Sequence, residues 1–365
     1  MPGTVLILGG YGNFGKRIAE ALTADGIPVI IAGRSADKAT GLCQRLPAGL
    51  AEPAVFDVHD QLAEQLTRLQ PAVVINTCGP FQTSDYRVAE CCIDHGIHYL
   101  DLADGRDFVT GITVLDDRAR QRGVAVISGA STVPGLSSAV LEHLKPRFEA
   151  FEHLRFGISP GQRAERGLAT TRGIMTYVGR PLKPFAGADR PVYGWQDIYR
   201  QRYPELGHRW IANCDIPDLD LLPPRYGLKS IRFGAGLELA PLHLGLWGLS
   251  WLVRLGLPVN LPRYARPLLK ASDGFDRFGS ADGGMHMIVS GHDHQGRPLS
   301  CRWFIVARDG HGPYIPTVPA IVLARRLIRQ PCVLTGALPC VGLVTLDEYL
   351  AQLKPYSIST YLDPA

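Results

Sequence analysis

The sequence predicts an α/β protein in which an N-terminal doubly wound parallel sheet is followed by a second, α+β domain. Three observations predict it. The first 130 residues alternate short, wholly apolar runs with single stretches of helical period, the pattern of parallel strands covered on both faces. A glycine-rich turn stands between the first strand and the first helix. After Ser131 the rhythm gives way to strand-like pieces, Gly/Pro-rich loops and aromatic clusters.

Strands are expected at residues 4–10, 28–34, 54–58, 72–78, 98–102 and 124–130, with helices roughly over 14–25, 36–46, 59–69, 84–95 and 107–122. Right-handed crossovers arrange such units as a Rossmann-type sheet. In the second domain the clearest strands are residues 285–291 and 300–308, joined as an antiparallel hairpin by the polar turn HDHQGRP. Residues 316–330 read as a helix opened by prolines and closed by basic residues, which suits the helix dipole. The expected division is 1–135 and 136–365, with the C-terminal helices able to pack back on the first domain.

A length of 365 residues suits two domains of about 100–200 residues each. The 46% hydrophobic content can bury sizeable cores, and 40 Gly with 28 Pro make the chain loop-rich without reaching a disordered composition. A net charge of +4 with no basic run argues against nucleic acid. The charge is uneven: residues 1–150 hold 13 Lys/Arg against 17 Asp/Glu, and residues 151–365 hold 25 against 17. Of those 25 cations 21 are Arg, which favours bidentate contact with carboxylates or phosphates and equally fits an Arg-rich surface from a GC-rich genome. Eight cysteines show no CxxC and no zinc spacing, so no metal site is expected, and a reducing cytoplasm fits best. The chain opens directly into a strand at Thr4, so no targeting segment is expected before it.

Residues 237–261 (LELAPLHLGLWGLSWLVRLGLPVNL) are nearly all apolar, but Pro241, His243 and Arg254 leave an inner run of only ten, too short for a transmembrane span. A buried core or dimer helix is expected there, with a membrane-surface contact or a substrate lid as the alternatives.

The strongest chemical signal is Gly9-Gly10-Tyr11-Gly12-Asn13-Phe14-Gly15, with a strand before it and a helix after it. Gly10 is expected to permit the tight turn, Gly12 to let the backbone approach a pyrophosphate, and Gly15 to let the helix close on the sheet. The anion would then meet the helix N-terminus through the loop residues Tyr11, Asn13 and Phe14. An NAD site carries Asp or Glu at the end of the second strand. Here Gly33-Arg34-Ser35, with Lys38 one turn later, suit a 2′-phosphate, so NADP(H) is the expected cofactor. Asp57, Cys78, Gly79 and Pro80 at the following strand ends complete the expected cofactor set. The glycines also fit the short-chain dehydrogenase spacing, but no Tyr is followed four places later by Lys: Tyr86 meets Glu90, Tyr99 meets Ala103 and Tyr226 meets Ser230.

With GYGNFG, the GPF loop at 79–81 and HYLDL at 98–102 in that order, the chain resembles the saccharopine dehydrogenase-like family of NADP-binding oxidoreductases. SGASTVPGLS at 128–137 resembles that family's crossing into its second domain, and SADGGM (280–285) and GPYIP (312–316) look like motifs of its bacterial members. The resemblance implies NADPH and hydride chemistry without naming the substrate, because the family includes saccharopine-forming and carboxyspermidine-type reductases and lipid-pathway enoyl reductases. Where the family often has Gly-Glu after HYxDL, this chain has Ala103-Asp104-Gly105.

Tyr86, Asp101 and Asp104 are the expected proton-relaying groups near the nicotinamide, with helix packing for Tyr86 and a strand-end cap for Asp101 as the structural alternatives. Arg172, Asp282 and His286 are expected at the surface, and Cys78 is expected to line the site rather than act as a nucleophile. These readings predict an NADPH-dependent oxidoreductase with a substrate pocket shaped by the second domain at an interdomain cleft. The alternative is a non-catalytic NADP(H)-binding redox regulator. An apolar or lipid-linked substrate is favoured over an amino-acid-derived imine, because the tryptophan-bearing apolar stretch needs a burial partner. A homodimer through that stretch and the 285–308 hairpin edge is expected in preference to membrane-surface attachment.

Overall fold

The computed structural model describes residues 3–256, 258–330, 332 and 334–364. Its strands, numbered along the chain, are β1 (Val5–Leu8), β2 (Val29–Gly33), β3 (Ala51–Val55), β4 (Val73–Asn76), β5 (His98–Asp101), β6 (Ala125–Ser128), β7 (Ala150–Ser159), β8 (Tyr199–Tyr203), β9 (Gly207–Asn213), β10 (Ser230–Ala235), β11 (Gly283–His292), β12 (Pro298–Ala307), β13 (Gly336–Pro339) and β14 (Ile358–Pro364). They belong to two compact units, Met1–Ala139 with Tyr314–Tyr349 and Val140–Pro313 with Leu350–Ala365.

The first unit is a parallel sheet in the order β13-β6-β5-β4-β1-β2-β3, the Rossmann arrangement with one strand added. Its central strands β1, β4, β5 and β6 are buried at every residue because helices cover both faces, which is why they read as continuous apolar runs. Leu6, Leu8, Ile30, Val74, Tyr99 and Val126 line one core, into which Ile93 and Ile112 pack. β1 lies between β2 and β4, so the crevice for a ligand opens at the carboxyl ends of these strands.

Two local differences from the expected elements have physical causes. β3 starts three residues earlier than the apolar pattern suggests: it is an edge strand, tolerates Pro53, and exposes Glu52 and Val55. Phe56, which drew the assignment onward, plugs the core from beyond the strand. The helix expected over 107–122 breaks into Arg106–Gly111, a 3₁₀ turn Ile112–Leu115 and Asp116–Gln121. Asp116 then accepts the Ala337 N–H at 2.8 Å and the Arg120 Nε–H at 2.8 Å, docking β13 beside β6. Arg120 first, then the Ala337 amide, holds that carboxyl below its usual range. The helix Val318–Arg329 packs against β4 and β5 beside the helix Asn13–Ala24, and Arg325 pairs with Asp25.

The second unit is a mixed sheet in the order β14-β12-β11-β7-β10-β9-β8, with only β7 and β10 parallel among its described pairs. The expected hairpin is β11–β12, but it supplies no free edge, because β7 and β14 flank it. Registry places Leu154, Phe156, Ile231, Phe233, Met285 and Met287 on one face and Arg155, Gly157, Arg232, Gly234 and His286 on the other. His286, expected at the surface, is completely buried. A Cβ at Gly157 would stand 2.9 Å from its Cε1, so the glycine makes the room. The His286 ring lies between two hydroxyls, Tyr203 Oη at 2.8 Å from Nδ1 and Tyr199 Oη at 3.3 Å from Nε2, and burial lowers its pKa to about 3.

The apolar stretch at 237–261 contains the helix Ala240–Arg254. It is a core helix on one side only: it buries His243 and Ser250 and packs Leu246, Trp247, Leu249 and Val253 on a small core, while Leu244, Trp251 and Leu252 are exposed. Among the described residues no helix is long and apolar enough to cross a membrane.

Candidate functional site

The glycine loop closes β1 onto the helix Asn13–Ala24. Its left-handed residue is Gly9 (φ +72°), not Gly10, so the tight turn belongs to Gly9. Gly10 is required for packing instead, since a Cβ there would lie 2.9 Å from the Ile7 carbonyl oxygen and 3.0 Å from Ile31 Cγ2. The Gly12 N–H donates to the Gly9 carbonyl at 2.8 Å. A Cβ at Gly12 would meet only that oxygen, at 3.0 Å, so its other side is open to a ligand. At Gly15 a Cβ would lie 2.4 Å from the Gly9 oxygen and 2.8 Å from Gly10 Cα: this is where helix and loop touch. No side chain caps the helix's first turn, and Gly12 is its N-cap. An extended backbone arm with an open glycine and a helix N-terminus fits a dinucleotide pyrophosphate.

The neighbouring strand ends build the rest of the crevice. Thr77 donates its hydroxyl hydrogen to the Leu8 carbonyl at 2.8 Å, tying the β4 loop to the β1 loop, and Asn76 Oδ1 accepts the Cys78 N–H at 3.0 Å. Cys78, followed by Gly79 and Pro80, thereby lies beside Gly9, whose Cβ would stand 3.1 Å from Cys78 Sγ. Cys78 reaches the surface, yet crowding pushes its thiol up to about 11, with smaller opposing effects of Arg34 and Asp57, so it remains a protonated lining group. At the end of β2, Arg34 is 81% exposed and stands 4.0 Å from an Asp57 oxygen. That pair is loose and solvent-screened, leaving the guanidinium available to a phosphate. Ser35 Oγ accepts the Lys38 N–H at 3.4 Å and caps the next helix, Ala36–Cys43, while Lys38 is exposed. Tyr11 folds over this strand end, its ring where a Gly33 Cβ would be and its hydroxyl accepting the Ser35 N–H at 3.0 Å. Asn13 and Phe14 open the helix.

Of the three expected proton-relaying groups, two are committed elsewhere. Tyr86 packs on Phe108 with ring centroids 4.9 Å apart and donates to the Phe108 carbonyl at 2.8 Å, so it anchors the helix Arg106–Gly111. Asp101 is fully buried, and its Oδ1 accepts from Ala103 N–H (2.9 Å), Gly129 N–H (2.8 Å) and the Ser128 hydroxyl (3.0 Å). It organises the turn after β6 instead of facing a substrate. Asp104 is half-buried and accepts from Gln82 Nε2 at 3.0 Å. Burial raises its pKa, and the Gln82 contact opposes this. Asn76 and Thr77 order the loop at this strand end through the bonds described above. Arg17, stacked over Tyr314 at 4.9 Å, carried no sequence signal, because Tyr314 arrives from the far end of the chain.

Burial raises the Asp101 pKa from 3.8 to about 6, against the lowering effect of its donors. A folded pKa above the unfolded one contributes stability that is full below the unfolded value and is lost as pH rises through the folded value. Asp101→Asn keeps an acceptor for the three donors but cannot ionise. The wild-type minus variant unfolding free energy should therefore fall by on the order of 2–3 kcal/mol between about pH 4 and about pH 7. A flat difference in paired denaturation curves would remove the anomalous titration.

Residues 5–127 match the model of the saccharopine dehydrogenase NADP-binding domain. Among solved structures, apo saccharopine dehydrogenase (L-Glu forming) from Saccharomyces cerevisiae is similar over 100% of both chains, with a TM-score of 0.66 at 13% identity. An amine dehydrogenase from Mycobacterium smegmatis is similar over 93% of this chain and 95% of its own, with a TM-score of 0.48 at 13% identity. No curated protein matches the sequence. Residues 5–127 therefore form a saccharopine dehydrogenase-type NADP-binding domain, whose cofactor is NADP(H).

Proposed function

We propose that the protein is an NADPH-dependent reductase that passes hydride to a C=N, C=O or C=C group of a small-molecule or lipid-linked substrate. The observation that carries this reading is the unblocked strand end at Arg34 beside the open backbone of Gly12. When bound, NADPH supplies the hydride. The loop residues Gly9 to Gly15 hold the pyrophosphate, and Arg34, aided by Lys38, holds the 2′-phosphate. Asp104 is the group we assign to proton donation, since its half-buried carboxyl favours the protonated form and Gln82 fixes its orientation.

An apolar, lipid-linked acceptor is favoured by the exposed Leu244, Trp251 and Leu252 of the second unit. Much of that unit's arginine is also consumed internally, in pairs such as Arg209–Glu238, Arg225–Glu142 and Arg308–Glu205. A second reading, an amino-acid-derived imine, is favoured by Arg155 and Arg232. They are neighbours across β7 and β10, flank the Tyr199 ring at 5.4 and 4.7 Å, and have no carboxylate partner among the described residues. NADPH oxidation followed by nicotinamide absorbance separates these readings. Turnover with enoyl or ketoacyl thioesters is expected, and turnover only with imines of glutamate or lysine reverses the substrate class. Tight NADPH binding with no oxidation by any acceptor indicates a regulator. Asp104→Asn should lower kcat by about 10²-fold or more while leaving NADPH affinity unchanged.

A further inference from the structure

The helix Ala240–Arg254 buries its polar His243 and Ser250, packs Leu246, Trp247, Leu249 and Val253 on a small core, and leaves further apolar residues exposed on its outer side. Positions 244, 251, 252 and 255 follow the helical repeat and form one exposed apolar stripe, on which Leu255 is 79% accessible. The following segment continues it. Tyr264, Phe275 and Phe278 are also exposed, and Leu261, Ala265 and Leu268 pack in the same small core as Trp247 and Val253, which holds the two segments side by side.

The unpaired charge along this apolar surface has one sign, since Asp273 and Asp276 at its far end are paired with Arg166. From Leu239 to Ser272 the sequence contains no Asp or Glu and four cations, Arg254, Arg263, Arg266 and Lys270. The last three are exposed and have no carboxylate partner among the described residues. Arg254 stacks on Trp251 at 4.9 Å and on Tyr193 at 3.9 Å. It borders a depression of about 490 Å³ that Arg180 also lines. Exposed tryptophan and leucine ringed by arginine is the composition of a protein surface at the level of lipid headgroups.

We infer that this face of the second unit docks on an anionic membrane surface, with Trp251, Leu252 and Leu255 entering the headgroup layer and Arg263, Arg266 and Lys270 contacting lipid phosphates. A second copy of the chain is the poorer occupant. A two-fold contact would set Arg263, Arg266 and Lys270 against one another, while the nearest acids of the segment, Asp273 and Asp276, are already paired with Arg166.

Flotation of the full chain with phosphatidylcholine vesicles, with and without phosphatidylglycerol, tests this. Binding is expected only with phosphatidylglycerol and should be lost at high salt. The triple variant Arg263→Gln/Arg266→Gln/Lys270→Gln should bind about 100-fold more weakly, at ~1 kcal/mol for each cation near the surface. Leu252→Ser/Leu255→Ser should also fail to float, and unchanged NADPH binding reports that both variants remain folded. Failure of the wild-type chain to float with anionic vesicles at low salt overturns the inference. So does a dimer in light scattering that Leu252→Ser/Leu255→Ser converts to a monomer, which would make this face an interface between copies.

Discussion

Gly12→Val should abolish measurable NADPH binding in a chain that still melts cooperatively near the wild-type temperature, whereas Gly15→Val should not yield a stable fold. The two glycines stand in one motif and differ in what surrounds them. A side chain at Gly12 meets one carbonyl oxygen at 3.0 Å and otherwise projects into the ligand's path. It displaces backbone contacts to a pyrophosphate, and two charge-assisted hydrogen bonds at about 1.5–3 kcal/mol each amount to at least ~100-fold in Kd. A side chain at Gly15 collides with the Gly9 and Gly10 backbone at 2.4 and 2.8 Å, which cannot move without separating helix from sheet. Overpacking of this kind costs about 3 kcal/mol or more. Titration calorimetry beside thermal melts distinguishes them, and wild-type NADPH affinity in Gly12→Val would reject the loop as the pyrophosphate site.

Arg34→Ala should weaken NADPH by about 1.5–3 kcal/mol, roughly 10- to 150-fold, and leave NADH almost unchanged. Arg34 is tethered only by Asp57, at 4.0 Å and in contact with solvent, so little is given up when the guanidinium turns to a phosphate. The alanine variant also loses no packing, because the side chain is exposed, and its stability should match the wild type. Equal losses for NADPH and NADH in calorimetry would show that Arg34 serves the adenosine or the fold instead of the 2′-phosphate.

The cofactor loop was legible in the sequence because its requirements are local: a strand, glycines at fixed spacing, a helix, and the residue ending the next strand. Even there the turn glycine was misplaced by one, since spacing does not reveal which residue takes a positive φ. Asp101 and Tyr86 were harder. Their role depends on groups far along the chain, the Gly129 amide for one and the Phe108 carbonyl for the other, and an acidic or phenolic residue near a strand end looks the same whether it meets substrate or backbone. His286 was expected in a strand but on its surface face, because alternation along one strand does not show that both faces are covered. Gly157 of the neighbouring strand makes room for a buried ring held by Tyr203 and Tyr199. The two-sided character of the helix Ala240–Arg254, apolar both on its packed side and on its exposed side, is invisible for a related reason: apolar composition predicts burial but not which side of a helix is buried.

The route of the chain carries a consequence for biosynthesis. It crosses between units after Ala139, returns at Tyr314 and leaves again at Leu350, so each sheet receives a strand translated after all the others. Until Gly336 to Pro339 emerges, β6 presents an unpaired edge, and until Ile358 emerges the same holds for β12. Open edges of this kind recruit other nascent chains. The nucleotide-binding half therefore cannot mature ahead of the remainder during synthesis, and a fragment ending at Ala139 inherits that exposed edge permanently, together with the loss of Tyr314 over Arg17.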